Sequence, residues 1–245
     1  MRLPLTLALL AALPLAAHAE DTRSWSGTAE FGLAIASGNA DSETVNGKFA
    51  FVREEDSWFY GINAAALRAE SDDQLSANRY EAGLKLGYDF TPRAYLFGTL
   101  RHENDDFASY EYQSIASLGV GYRFIDREAT SLLAEIGPGA RRFQPIDALV
   151  GTPPVLTSFD AETNAIVRGS LDFKHQLTAN TALTNLLLAE SGNGSTFVQN
   201  DLGVAVQMSE RYALKAGYQV RHTTEVPVGI EKTDTLFTTN LVVGF

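Results

Sequence analysis

The chain has 245 residues, no cysteine and a formal charge of −11. That acidity argues against nucleic acid as a partner, and without disulfides an exported protein of this size must rely on extensive pairing and packing. Mean hydropathy is near neutral at −0.08, and beyond the first residues no run of about 18 apolar residues exists to make a transmembrane helix, so the one membrane architecture left open is the β-barrel, whose strands alternate lipid-facing and lumen-facing side chains.

The opening "MRLPLTLALLAALPLAAHAE" carries one positive charge, Arg2, then an apolar run from Leu3 to Ala16 and the small-x-small triplet Ala17, His18, Ala19. This layout predicts a secretory signal peptide over 1–19, cut after Ala19. The run is too short for a membrane anchor and holds Pro4 and Pro14. Loss of Arg2 takes the charge from −11 to −12, and residues 20–245 remain as one barrel domain.

From there the chain alternates with a period of two. In "WSGTAEFGLAIAS", Trp25, Ala29, Phe31, Leu33 and Ile35 oppose Ser26, Thr28, Glu30 and Gly32. From Thr163 to Gln176, Ala165, Val167, Leu171 and Phe173 oppose Asn164, Arg168, Ser170, Asp172 and Lys174. "VQNDLGVAVQM" and "YALKAGYQVRHT" repeat the pattern, and "TLFTTNLVVGF" ends it with Phe237, Leu241, Val243 and Phe245 on one face. Twelve such segments are predicted, starting near Ser24, Asp41, Ser57, Asn78, Ala94, Tyr110, Thr130, Glu162, Thr181, Phe197, Tyr212 and Lys232. Those from Ser57, Ala94 and Thr181 alternate poorly, so ten strands stay open as the alternative.

Connections after even-numbered strands are short: "REEDS", "DFTPR", "IDREA", "QLTAN" and "MSERY". Those after odd-numbered strands are mostly longer and polar, as in "ESDDQLSAN", "ENDDFAS", "RFQPIDALVGTPPVLTSFD", "ESGNGST" and "TEVPVGIEK", the exception being the tight "SGNAD". This is the asymmetry of an outer-membrane barrel with short periplasmic turns and longer external loops. The expected fold is therefore an all-β transmembrane antiparallel barrel. Its last strand must pair with the first, because an open edge in lipid leaves backbone groups unsatisfied. Phe237, Leu241, Val243 and Phe245 are read as the lipid face of that strand and as the signal for the assembly machinery, and Tyr88, Phe90, Tyr122, Phe124, Tyr212 and Phe245 as an aromatic girdle. A soluble β-sandwich would not explain why charges keep to one strand face and aromatics to the other.

"WSGTAEFGLAIASGNADSETVNGKFAF", "RYEAGLKLGYDFTPRAYLFGTLRHENDDFASYEYQSIASLGVGYRFID" and "AEIGPGARR" resemble, in that order, segments of the salt-induced outer-membrane protein family. The resemblance implies an outer-membrane barrel whose abundance responds to salt, and it brings no catalytic residues.

Alternation sends the bases Lys48, Arg79, Lys85, Arg101, Arg123, Arg141, Arg168, Lys174, Lys215 and Arg221 into the lumen, with the acids Glu30, Glu81, Asp89, Glu103, Glu135, Glu162, Asp172 and Asp201. The signs nearly balance, so they can pair across a tube this narrow; a channel for acidic sugars would show a one-sign track. Asp72, Asp73, Asp105 and Asp106 are expected in loops, bridging loosely through divalent ions to lipopolysaccharide, with no fixed metal-ligand spacing. No cofactor is implied. The expected partners are outer-membrane lipid, lipopolysaccharide and the assembly machinery, for a monomer. Two functions are carried forward. One is a non-enzymatic barrel, a narrow channel or envelope-integrity protein linked to osmotic or salt stress. The other is a hydrolase of outer-leaflet lipid working through His102 or His222, although "HENDD" and "HTTEV" lack the His-x-Ser arrangement of outer-membrane phospholipases.

Overall fold

The computed structural model describes residues 25–36, 42–150, 155–227 and 229–245; the leader and the "SGNAD" turn lie outside them. Twelve antiparallel strands close into one barrel: β1 (Trp25–Ala36), β2 (Ser42–Glu55), β3 (Trp58–Ser71), β4 (Gln74–Asp89), β5 (Ala94–Asp105), β6 (Tyr110–Arg127), β7 (Thr130–Pro145), β10 (Glu162–Thr178), β11 (Thr181–Gly192), β12 (Ser195–Gln207), β13 (Tyr212–Thr223) and β14 (Thr233–Gly244). Between β7 and β10 the longest connection carries a small separate hairpin, β8 (Ala148–Val150) with β9 (Val155–Thr157). Among the described residues no helix is long and apolar enough to cross a membrane; the regular elements are strands. The count is twelve, not ten.

Closure is made by β1 and β14, in the register Thr28 with Gly244 through Gly32 with Asn240. The pair continues past the last rung, where Gly27 and Phe245 exchange two backbone hydrogen bonds of 3.0 Å. The Phe245 ring leans on Trp25 and Phe49, each 6.2 Å away. It lies across Gly27, where a Cβ would fall 2.3 Å from the ring, so only glycine admits this contact. With Trp58 on Tyr88 (4.9 Å) and Tyr122 on Phe124 (5.0 Å), these rings form an aromatic band at the end of the barrel that carries the short turns.

Polarity is inverted relative to a water-soluble protein. Leu118 and Phe237 stand outward, 70% and 69% exposed, while Glu103, Glu135, Gln113, Ser117 and Asn240 are buried inside. An apolar surface running around the whole barrel is stable only against lipid.

The polar segments "ESDDQLSAN" and "ESGNGST" are not long loops. β3 and β4 stay paired to Ser71–Gln74, joined by Asp72 and Asp73 at φ 50° and 60°. β11 and β12 stay paired to Gly192–Ser195, joined by Asn193 and Gly194 at φ 50° and 79°. Left-handed conformations at both central positions are the two-residue turn that suits the strand twist. These strands outrun the apolar belt into water, so their outward positions turn polar, as at Arg68 and Glu70, without pairing being lost. The long connections at this end reduce to those between β7 and β10 and between β13 and β14.

Candidate functional site

The lumen is filled unevenly. Near the long-loop end, Glu103 of β5 is fully buried and accepts hydrogen bonds from Tyr110 (2.5 Å), Arg221 (2.6 Å) and Arg101 (3.0 Å). Arg101 also reaches Glu81 (3.4 Å) and Glu190 (2.5 Å), and Arg221 reaches Asp105 (3.1 Å). Both guanidinium groups lie over the Phe197 ring, at 5.7 and 5.1 Å. Strands β4, β5, β11 and β13 thus send opposite charges to one point, and each buried ion has several partners, the condition under which burial of charge is tolerated.

A second cluster sits on the wall from β3 through β7 to β10, toward the short-turn end. Glu135 accepts from Lys85, from Tyr95 (2.7 Å), Arg168 (3.1 Å) and Ser170 (3.2 Å). Tyr95 and Phe59 pack edge to face at 5.2 Å, over Gly87 and Gly121, which are the only kind of residue that leaves room for the rings. Arg123 closes the cluster by pairing with Asp89 at 2.8 Å and covering Tyr95 at 4.8 Å. On the opposite wall Lys48 meets Asp201 (3.4 Å), Lys215 meets Glu30 (2.7 Å), and Asn46 donates to Asn240 (3.1 Å).

Between these walls lies a cavity of about 390 Å³, lined among others by Glu30, Lys48, Asn63, Asp172, Asp201 and Lys215. A second cavity of about 320 Å³, lined by Leu67, Asp105, Phe107 and Asp234, lies toward the long-loop end. Arg79, Gln219 and Leu236 line both. Arg79 of β4 donates to the Gln219 amide oxygen of β13 at 2.7 Å, across the tube, and is in none of the ion pairs among the described residues. The Gln219 amide nitrogen in turn donates to Asp201 at 2.6 Å, so a neutral amide anchored on one carboxylate holds the crossing between the two chambers.

Register places every inward position named from the sequence on the lumen side. Most meet in the networks above. Arg141 instead covers the Phe143 ring at 4.8 Å, Glu162 stands opposite Phe143 at the rim, and Lys174, opposite Ser131 and Thr184, is exposed near the short-turn end with Asp172. Asp105 is a correction: it lies not in a loop but in the lumen, paired with Arg221. Glu190 was missed. It belongs to "TALTNLLLAE", where inward Leu186 and Leu188 and outward Asn185 blur the alternation. Asn185 is kept in the outer face by Asn200, the two amides exchanging hydrogen bonds of 3.2 and 3.1 Å. The usable signal was the count in twos from Thr184, which reaches Glu190.

Among solved structures, the chain is similar to the COG4313 outer membrane channel from Pseudomonas putida F1, with TM-score 0.50 and 11% identity over 95% of this chain and 99% of that one. It is also similar to the translocator domain of autotransporter NalP from Neisseria meningitidis, with TM-score 0.46 and 14% identity over 90% and 86%. At 11% identity the first of these comparisons shows the fold alone. The uncharacterized protein YdiY of Escherichia coli K12 is 24% identical over 205 residues, 84% of this chain and 77% of that protein. Residues 29–245 match the family model described as a protein of unknown function, DUF481, and the chain belongs to that family.

Proposed function

We propose that this chain is an outer-membrane protein, exported by cleavage after Ala19 and monomeric, with short turns in the periplasm and the long connections outside. Its lumen is a narrow polar passage for ions or small solutes, used under osmotic or salt stress, with no catalysis inside the tube. The observation that carries this reading is the Arg79–Gln219 contact between two cavities. A hydrogen bond to a charged group is worth about 1.5–3 kcal/mol net, a small barrier beside the many-fold ion pairing around Glu103. The crossing is thus the place where the passage can open. Lipid and lipopolysaccharide contact the outer face in this reading, and the assembly machinery acts on the last strand.

The test is single-channel recording in planar bilayers. Wild-type protein gives small conductance steps, and Arg79→Ala combined with Gln219→Ala enlarges them. Silence from both proteins, each folded by gel shift, overturns the channel. A second reading, hydrolysis of outer-leaflet lipid through His102, is favoured by a separate observation on the outside of the barrel.

A further inference from the structure

The strand pairing puts a polar row on the lipid-facing side near the long-loop end. His102 of β5 stands opposite Ser114 of β6, Ser114 opposite Arg142 of β7, and Arg142 opposite Thr163 of β10. All share the outward face, since Arg101 and Glu103 on either side of His102 point into the lumen. His102 Nδ1 is 2.8 Å from Ser114 Oγ, and its Nε2 is 3.1 Å from Asn104 Oδ1.

Proton positions in this relay follow from one more contact. The Asn104 amide nitrogen donates to the Glu111 carbonyl at 3.2 Å, which turns Oδ1 toward the imidazole. An acceptor facing Nε2 requires the proton there, so in the neutral ring Nδ1 is the free lone pair. The Ser114 hydroxyl then donates to Nδ1. Serine, base and orienting amide stand in the order that a nucleophile needs for activation. The His-x-Ser spacing is absent because the serine comes from the neighbouring strand.

His222 and His175 serve as comparisons. Each also lies 2.8 Å from a hydroxyl, of Thr233 and Thr130, so an outward histidine paired with a hydroxyl is a general feature of this barrel. Among the described residues only His102 adds an aligned third group. Beneath it lies a groove of about 680 Å³ lined by Ala82, Leu84, Leu100, Ala116 and Ala140, with His102, Ser114 and Arg142 at its head. It runs on into a second groove of about 870 Å³ that shares Leu84, Leu100 and Ala116. Depth also fits. Along β6, Ser114 to Tyr122 spans eight rises of ~3.4 Å, or about 21 Å along the normal for a strand tilted by ~40°, close to the ~25 Å apolar band of such barrels. Ser114 therefore sits at one lipid–water boundary and the aromatic band at the other.

We infer that Ser114, His102 and Asn104 form an esterase site on the outer surface of the barrel, acting on acyl esters of outer-leaflet lipid. An acyl chain lies along the Ala82–Ala116–Ala140 groove and its ester reaches Ser114. Ser114 Oγ attacks the ester carbonyl carbon as His102 Nδ1 takes the hydroxyl proton. The resulting oxyanion forms beside the Arg142 guanidinium. Collapse breaks the ester bond, and the departing alcohol takes the proton back from His102. Water then attacks the acyl-Ser114 ester with His102 again as base, releasing the fatty acid and restoring the serine. Asn104 is a positioning residue.

The experiment uses the purified full-length barrel in vesicles of phosphatidylethanolamine and, separately, of lipopolysaccharide, with fatty acid release as readout. A long-chain alkyl fluorophosphonate serves as covalent probe for intact mass. Wild-type protein releases fatty acid and gains one phosphonyl group on Ser114; which vesicle responds tells whether glycerophospholipid or lipid A is the source. Ser114→Ala abolishes both, and His102→Gln lowers release on the order of a hundredfold or more. Asn104→Ala slows release and moves its pH profile, which Asn104→Asp partly restores, whereas His222→Gln changes nothing. Each variant is first checked for folding by its gel shift. Release equal in wild type and Ser114→Ala on both lipids, or no label on Ser114, overturns the inference whatever the conductance records show.

Discussion

Replacing Glu103 by Gln tests whether the lumen network holds the barrel together. The substitution keeps volume but removes the charge at the centre of three contacts: Tyr110 at 2.5 Å, Arg221 at 2.6 Å and Arg101 at 3.0 Å. Breaking a buried ion pair costs ~3–5 kcal/mol when the surviving charge is left alone. Here Arg101 keeps Glu81 and Glu190, and Arg221 keeps Asp105, so the low end applies. A loss of about 3 kcal/mol, on the order of a hundredfold in the folding equilibrium, is expected. The control is Glu70→Gln, which breaks the Arg68 pair on the outer surface, where the side chains are 55% and 39% exposed; exposed pairs contribute ~0–1 kcal/mol. Urea unfolding in phosphocholine vesicles, followed by the fluorescence of Trp25 and Trp58, compares the two. If Glu103→Gln falls within about 1 kcal/mol of wild type, the lumen charges are solvated bystanders and the network argument fails.

Further expectations concern the shell. Leu118→Arg puts a charge at a 70% exposed outward position within the apolar stretch of β6 and should cost about 2–4 kcal/mol in the same unfolding assay. Deleting Phe245, which removes its two bonds to Gly27 and its packing on Trp25 and Phe49, should reduce the compact band in unboiled gel samples of outer membranes. Val243→Asp should do the same, and Asp147→Lys in the long connection should not. Protease added to intact cells should cut between Phe143 and Asp160 and spare the turns at 89–93 and 178–181; the reverse pattern would invert the topology.

Strand starts were readable to within about two residues, β4 apart, because a barrel wall with lipid on one side and polar contacts on the other enforces alternation at nearly every position. The misreadings fall where that constraint lapses. Above the belt both faces of a strand meet water, so "SDDQLSAN" reads as a loop and alternation begins only at Asn78, whereas β4 begins at Gln74. On β11 a cross-strand amide pair put Asn185 and Asn200 in the lipid face and hid Glu190. The relay at His102 was unreadable for a different reason. Which side chain of β6 faces His102 depends on how many residues the turn between β5 and β6 consumes, and periodicity within either strand carries no record of that. Cross-lumen partners such as Arg79 and Gln219, 140 residues apart, depend further on how all the strands are staggered when the sheet closes.

The four residues "RHEN" bring both readings to one place. Arg101 and Glu103 turn inward to the buried ion-pair network near the long-loop end, and His102 and Asn104 turn outward to the relay at the lipid boundary. The backbone between them is held in the ladder on both sides, so a side chain can be changed on one face with little movement of the other. Glu103→Gln should therefore alter stability and conductance while leaving ester hydrolysis within about twofold of wild type, less than ~0.5 kcal/mol in activation free energy. His102→Gln should lower hydrolysis on the order of a hundredfold or more and leave conductance steps unchanged. Parallel loss of both readouts in either variant would mean that the faces are mechanically coupled through β5, and the two functions could not then be assigned to separate surfaces.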